Sequence, residues 1–412
     1  MRNQWLGYLC AGALLAACGD GGAPQSTRAS AAPGVDLANK VISIGELNDE
    51  SGPVAAIGRP WALGKRILEK QVNAGNSGLL PAGWTIRLVA RDHGYNPQRS
   101  VQLFNEIRDQ ILFLGTSFGT PNTLPLRPLL QRHEIVAFPA SLSSKMAEFE
   151  YTPPLGPSYQ LEALRAMDYA VDQLGAEQVV AGIIYQQDDY GQDGFDAWHH
   201  AAKHYGIEVV AEGTYAPGQA DYTAAVSSMK QAGANVVFLA AVPSATGPVL
   251  GTAAQLDYEP MFLGNSPAWI DRFFDPTVLP PKVLANYHHV SSGVYWGEDV
   301  PIMDDFLAAY ESHGKDQHGP DSYILLSYTA GLTQLEVARR MIEEGQISRA
   351  GYLRALQTLQ GFTLDGTLPE PYDFSRVPYT VGTQIRVLKP DTDNRSWIVA
   401  GEYATPRSYQ AN

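Results

Sequence analysis

"YTPPLGPS", residues 151–158, separates two stretches of chain that repeat the same pattern. Pro-Pro followed by Gly-Pro ends regular structure, because proline has no backbone N–H to donate and glycine leaves the backbone free. Upstream, "KVISIGEL" (40–47), "WTIRLVARD" (84–92), "ILFLG" (111–115) and "EIVAFPA" (134–140) read as strands, and residues 59–73, 97–110 and 121–133 carry helical periodicity between them. Downstream the alternation starts afresh. A helix over 159–174 leads to strands at 178–185, 207–215, 234–242 and 260–264, again with helices between. Strands alternating with helices of this length form βαβ units and parallel sheets. Each series is long enough for one doubly wound domain. The stretch at 151–158 is therefore a domain boundary, and the expected fold is α/β with two doubly wound parallel-sheet lobes.

The rest of the body reads as helices over 302–313, 322–344 and 349–359, then an antiparallel hairpin, "TQIRVLKPDTDNRSWIVAGEY" (383–403), with an Asp/Asn turn. The first residues stand apart. "MRNQWLGYLCAGALLAAC" (1–18) has one positive charge, Arg2, and an apolar run too short to span a bilayer, the pattern of a secretory signal. Its end, Leu15-Ala16-Ala17-Cys18, resembles the bacterial lipobox, in which the cysteine takes a diacylglycerol and becomes the new N-terminus. An ordinary signal peptide with an incidental cysteine is the alternative. The Gly/Ala/Ser/Pro-rich tract that follows has the composition of a flexible tether, which favours the lipid anchor. Cys10 and Cys18 are the only cysteines, so the mature body has neither disulfide nor thiol chemistry.

The 412-residue chain carries a formal net charge of −14 and no Lys/Arg-rich run. That balance argues against nucleic acid and anionic membrane surfaces as partners. No His/Cys/Asp cluster has ligand spacing and no G-x-x-x-x-G-K-[ST] loop occurs, so neither metal nor cofactor is implied.

One motif suggests catalysis. "ILFLGTSFGT" (111–120) contains Gly115-x-Ser117-x-Gly119 after a strand, the pattern of a serine hydrolase nucleophile elbow. An elbow needs a helix immediately after the serine. Here Phe118-Gly119-Thr120-Pro121 reads as an intervening loop, and no histidine carries a local acid–His signature. As a binding element the same stretch works differently. Glycines let the backbone approach a ligand, and a helix opening near Pro121 offers free N–H groups and a positive dipole end to an anion such as a carboxylate. Helix N-capping is the alternative role for the serines.

Seven segments then combine: "ISIGELNDESGPVAAIG" (42–58), "ARDHGYNPQRSV" (90–101), "FLGTSFGTPNT" (113–123), "VAFPASLSS" (136–144), "IIYQQDDYGQDG" (183–194), "FLGNSPAW" (262–269) and "PDSYILLSYTAGL" (320–332). In order and spacing they resemble the type I periplasmic substrate-binding proteins of ABC transporters, in the leucine/isoleucine/valine-binding family. The resemblance implies a non-enzymatic monomer that captures a small organic ligand between two lobes joined by a three-strand hinge. It would deliver that ligand, on the periplasmic side, to an inner-membrane ABC permease. A sensor of the same fold, signalling to a membrane receptor, would share these features. The implied organisation is a signal peptide (1–17), a tether (18–38), a first lobe (39–157 with 286–360) and a second lobe (158–285 with 361–405).

The resemblance also implies the ligand contacts. Ser117, Phe118, Gly119 and Thr120 fall at the ligand carboxylate, Ser141 and Ser143 in a second polar loop, and Tyr190 closes over the ligand. Three positions depart from the pattern. Amino-acid binders place an acid two residues after the glycine of the "FLG" strand, to hold the ligand's ammonium; Ser266 stands there. Val242 and Ile57 replace an aromatic and a tryptophan. A buried ammonium without a carboxylate loses several kcal/mol, and a neutral acceptor returns only ~1 kcal/mol. The expected ligand is therefore a small or medium carboxylate, or a neutral polar–apolar molecule, without a primary ammonium, unless Asp188, Asp189 or Glu46 reaches the cleft. Trp269 and Tyr295-Trp296 are candidate aromatic walls, and Arg59 a candidate charge at the rim. Where several relatives carry a disulfide, Tyr95 and Phe118 predict an aromatic contact.

Overall fold

The computed structural model describes residues 32–75 and 77–409; the signal sequence, Cys18 and the tether up to residue 31 lie outside the described residues. The first series runs β1 (Val35–Asp36), β2 (Val41–Asn48), α1 (Ala55–Asn73), β3 (Thr85–Asp92), α2 (Pro97–Ile107), β4 (Phe113–Phe118), α3 (Thr120–Thr123), α4 (Arg127–His133) and β5 (Ala137–Ala140). The second runs α5 (Tyr159–Leu174), β6 (Ala181–Gln186), α6 (Asp189–Tyr205), β7 (Val209–Tyr215), α7 (Thr223–Gln231), β8 (Val236–Ala240), α8 (Pro243–Gln255), β9 (Met261–Gly264), α9 (Pro281–Leu284) and β10 (Tyr287–Ser291). Then follow α10 (Met303–His313), α11 (Ser322–Glu343), α12 (Arg349–Gln357), β11 (Ile385–Asp391) and β12 (Ser396–Ala404).

Two sheets result. The first orders its parallel strands β3-β2-β4-β5, with β1 antiparallel against the start of β2. The second orders β7-β6-β8-β9-β10 in parallel and adds the β11–β12 hairpin antiparallel to β10. Both wind the same way, so strand order reverses between β2 and β4 and again between β6 and β8. Such switch points open a crevice beyond the carboxyl ends of the strands.

Strand periodicity assigns the faces. Along β8, Val236, Phe238 and Ala240 join the hydrophobic cluster under α5 and α6, while Val237 and Leu239 join the cluster under α7 and α8. In the first lobe α1 lies so close on α11 that a Cβ on Gly64 would fall 2.3 Å from the Ile324 carbonyl oxygen. Only glycine permits that approach.

Three expected boundaries move. Residues 287–291, expected in the first lobe, form β10 in the second sheet, paired with β9 and β11. The histidines of "YHHVS" hide this strand from an apolar pattern; His289 is fully buried between the Tyr287 and Tyr295 hydroxyls. Residues 361–381, expected in the second lobe, instead place Tyr372, Phe374, Tyr379 and Val381 in the first lobe's core. The expected tether ends early, because Val35 is buried and pairs with Ile42.

Candidate functional site

The switch points of the two sheets face each other, and a cavity with an empty volume of about 1230 Å³, open mouth included, lies between them. From the first lobe come Val54 and Ile57 after β2, Phe118-Gly119-Thr120 after β4 and Ser141 after β5. From the second come Tyr190 after β6, Val242 after β8 and Ser266 after β9. Among the described residues, none that lines the cavity is Asp, Glu, Lys, Arg or His.

Each loop is held by its own hydrogen bonds. The Asp49 carboxylate accepts from the Gly52 N–H at 2.5 Å and the Val54 N–H at 2.8 Å, which fixes the loop after β2. Thr120 Oγ1 and Ser141 Oγ lie 2.7 Å apart and join the loops after β4 and β5. The Asp188 carboxylate caps α6 by accepting from the Tyr190 and Gly191 N–H groups at 3.0 and 3.1 Å. The Tyr190 hydroxyl sits 2.7 Å from Asn265 Oδ1 and 2.9 Å from the Ala241 carbonyl, and the Tyr159 ring meets it edge-on at 5.0 Å.

The lobes touch across this cavity. Gln186 Nε2 donates to the Tyr95 hydroxyl oxygen at 3.2 Å, and that hydroxyl donates to Asp188 at 3.3 Å. Ser244 Oγ donates to the Pro53 carbonyl at 3.1 Å. Ser144 gives its N–H and hydroxyl to Asp193 at 2.9 and 2.6 Å, and Tyr323 gives its hydroxyl to the Ser266 carbonyl at 2.8 Å.

The loop after β4 differs from its expected form. Strand β4 runs on to Phe118, and α3 begins at Thr120, so the four-residue loop is really one residue, Gly119. Ser117 is a buried strand residue whose Oγ lies 2.8 Å from Thr123 Oγ1, not an exposed elbow nucleophile. The expected set of free N–H groups also shrinks. Pro121 has none, and the N–H groups of Asn122 and Thr123 both donate to the Gly119 carbonyl, at 3.2 and 3.0 Å. A single turn of helix with these donors spent makes a weak anion site.

Gly119 itself is constrained. Its φ is +88°, and a Cβ there would fall 2.7 Å from the Tyr95 ring and 2.9 Å from Asn122 Nδ2. Gly119→Ala should destabilise the protein by roughly 1–3 kcal/mol through strain and displace Tyr95 from its contacts across the cleft. Urea unfolding reads this, and an unchanged midpoint would contradict it.

Phe118, Gly119, Thr120, Ser141, Tyr190, Val242, Ser266 and Ile57 thus converge on the cavity, whereas Ser117, Ser143 and Trp269 are buried away from its lining. Trp269 packs on Phe273, Phe274, Tyr287 and Trp397, with its indole N–H on Asp271 at 3.1 Å. Tyr295 and Trp296 also stand outside the lining, Trp296 against Phe306 and Tyr310. Arg59 Nε donates to the Glu50 carbonyl at 2.7 Å. Tyr95 and Phe118 both line the cavity, but no aromatic pairing between them occurs among the described residues; the Tyr95 hydroxyl contacts Gln186 and Asp188.

The acids that were candidates for an ammonium are engaged elsewhere. Asp188 holds α6 and Tyr95, and Asp189 pairs with Lys145 at 3.2 Å. Glu46 is buried in the first lobe beside Lys65, where burial pushes its carboxyl up and the Lys65 ammonium down to about 8. The sequence reading missed another acid. Glu162 on α5 is fully buried behind Ser266 and accepts both its N–H, at 3.1 Å, and its hydroxyl. Burial pushes Glu162 up to about 8. Its helical spacing from Tyr159 and Ala166, which sets a charged residue in the apolar stripe of α5, was the available signal.

Two α/β lobes closed on an uncharged cavity at their switch points define a bilobal solute-binding architecture. A family model described as periplasmic binding protein matches residues 41–394. The chain belongs to that family, with the type I fold of the leucine/isoleucine/valine-binding proteins. It is 24% identical over 298 residues to an "Amino acid binding protein" of Pseudomonas aeruginosa, an alignment covering 70% of this chain and 76% of that one. Among solved structures, a fatty acid ABC transporter substrate-binding protein from Thermomonospora curvata superposes with a TM-score of 0.84 at 19% identity, covering 92% of this chain and 95% of the other. A branched-chain amino acid ABC transporter protein from Thermus thermophilus with bound valine gives 0.79 at 19% identity, covering 90% and 98%. At such identities the structures establish the shared fold. Proteins of this family bind small solutes outside the cytoplasm for ABC permeases and are not enzymes.

Proposed function

We propose that the chain is a lipid-anchored, monomeric solute-binding protein that captures a carboxylate or a neutral polar–apolar molecule lacking a primary ammonium, and hands it to an inner-membrane ABC permease. The observation that carries this reading is the cavity lining, which among the described residues holds no Asp, Glu, Lys, Arg or His. Tyrosine, serine and threonine hydroxyls supply its polarity. The neighbour described as a fatty acid binder supports a ligand of this kind; the neighbour with bound valine stands for the alternative. The anchor rests on Leu15-Ala16-Ala17-Cys18. The three crossings between lobes, near residues 157, 292 and 383, form the hinge on which ligand binding closes the cleft. Because the family's message is closure, the ligand must bind the closed form better than the open one.

A thermal-shift screen tests the ligand class with α-amino acids, their deaminated acids, amides and apolar alcohols. A ligand at 100 times its dissociation constant adds ~2.7 kcal/mol to the folded state. Acids or neutral molecules should raise the midpoint by several degrees. A screen in which only α-amino acids do so would overturn the reading.

A further inference from the structure

The cavity extends beyond the cleft. From Thr120, Ser141 and Ser266 its lining continues into the first lobe along α11, where Leu326, Thr329, Ala330 and Thr333 line it. These residues follow i, i+3, i+4, i+7 spacing, so a single stripe of the helix makes the wall. Leu142, Leu155, Leu368 and Tyr372 line the same arm. The Tyr372 hydroxyl donates to the Leu155 carbonyl at 3.1 Å and ties the 367–372 segment to the interlobe stretch. Thr367 lines both this arm and a separate cleft bounded by Arg339, Arg340 and Asp365. The Thr367 hydroxyl is buried without a partner. This part of the lining is therefore mainly apolar, broken by the hydroxyls of Thr329, Thr333 and Thr367. Ala330 has the smallest side chain of the α11 stripe, so a larger residue there would take up cavity space.

We propose that the ligand carries a long, unbranched apolar chain, with its polar end between the lobes near Thr120 and Ser141 and its tail along α11 beneath residues 367–372. This rests on the binding function proposed above and adds the ligand's length. A short ligand would leave the walls of the arm without partner atoms, whereas each further methylene buried there should raise affinity roughly three- to fourfold.

The test titrates the full-length chain with straight-chain carboxylates of six to eighteen carbons and the matching 1-alkanols. Wild type should show affinity climbing with length to a plateau. Ala330→Leu, which fills the arm, should weaken the long members tenfold or more, weaken the short members less, and move the plateau to shorter chains. Leu326→Ala, which enlarges the arm, should move it to longer chains and provides the reading if Ala330→Leu does not fold. A flat length profile in wild type with short members bound overturns the long-chain proposal and leaves the binding function standing. Equal losses at every length in a folded Ala330→Leu, or an unmoved plateau in Leu326→Ala, overturn it as well. Failure of every carboxylate, alcohol and α-amino acid to bind would overturn the binding function itself.

Discussion

Glu162→Gln is expected to stabilise the protein by several kcal/mol at pH 9 and by only about 1 kcal/mol at pH 5. The Glu162 carboxyl is fully buried, and it is neutral donors that face it: the N–H and hydroxyl of Ser266. With no cation to offset burial, its proton is held up to about 8. In the unfolded chain a glutamate releases its proton near 4.3. Below that value both states are protonated and the group costs nothing. Between the two values only the unfolded state ionises, so stability falls as pH rises, by about 1.4 kcal/mol per pH unit. Above the folded value the loss levels off at roughly 3–5 kcal/mol. Glutamine cannot ionise, and it holds Ser266 with one contact reversed: its carbonyl oxygen accepts the Ser266 N–H and its NH2 donates to the Ser266 hydroxyl oxygen. Urea unfolding of both proteins at pH 5 and pH 9 measures the difference, and equal differences at the two pH values would contradict it.

An α-amino group on any ligand that the cavity holds is expected to weaken binding by at least about 100-fold. The ammonium would be taken from water into a site where no described lining residue carries a carboxylate. Stripping such an ion of water costs several kcal/mol. Ser266 lines the cavity and has already turned its N–H and hydroxyl to Glu162. Its oxygen can return only ~1 kcal/mol as a neutral acceptor. A shortfall of ~2.7 kcal/mol corresponds to a factor of 100 in the dissociation constant.

Much of this architecture was legible because the two βα series repeat one pattern on either side of residues 151–158. Parallel strands buried on both faces read as near-continuous apolar runs, as β8 (VVFLA) does, while β2, β4 and β6 carry shorter apolar runs that still mark them as strands. Strand β10 escaped because "YHHVS" places two imidazoles in a buried strand, where tertiary partners and not local pattern make them tolerable. The lobe boundaries after residue 286 escaped for a related reason. Residues 361–381 contain little regular structure, so their docking on the first lobe depends on the scattered apolar side chains Tyr372, Phe374, Tyr379 and Val381.

The site was legible where it hangs on strand ends. Thr120, Ser141, Tyr190, Val242 and Ser266 each follow a parallel strand by a few residues, and the switch-point rule brings such positions together. Trp269 misled because three residues beyond Ser266 the chain has already turned into an aromatic cluster. Ser117 misled because β4 runs further than its apolar run, which seats the serine inside the sheet. The α11 wall was not legible, since Leu326, Thr329, Ala330 and Thr333 read equally well as packing within a long helix.

The most direct test of an uncharged, ammonium-excluding cavity is calorimetric titration of matched pairs: 3-methylbutanoate with valine, 4-methylpentanoate with leucine, and decanoate with 2-aminodecanoate. In every pair that binds, the account predicts the plain acid to be tighter by a factor of 100 or more. An α-amino acid that binds as tightly as its deaminated partner, or more tightly, would contradict it.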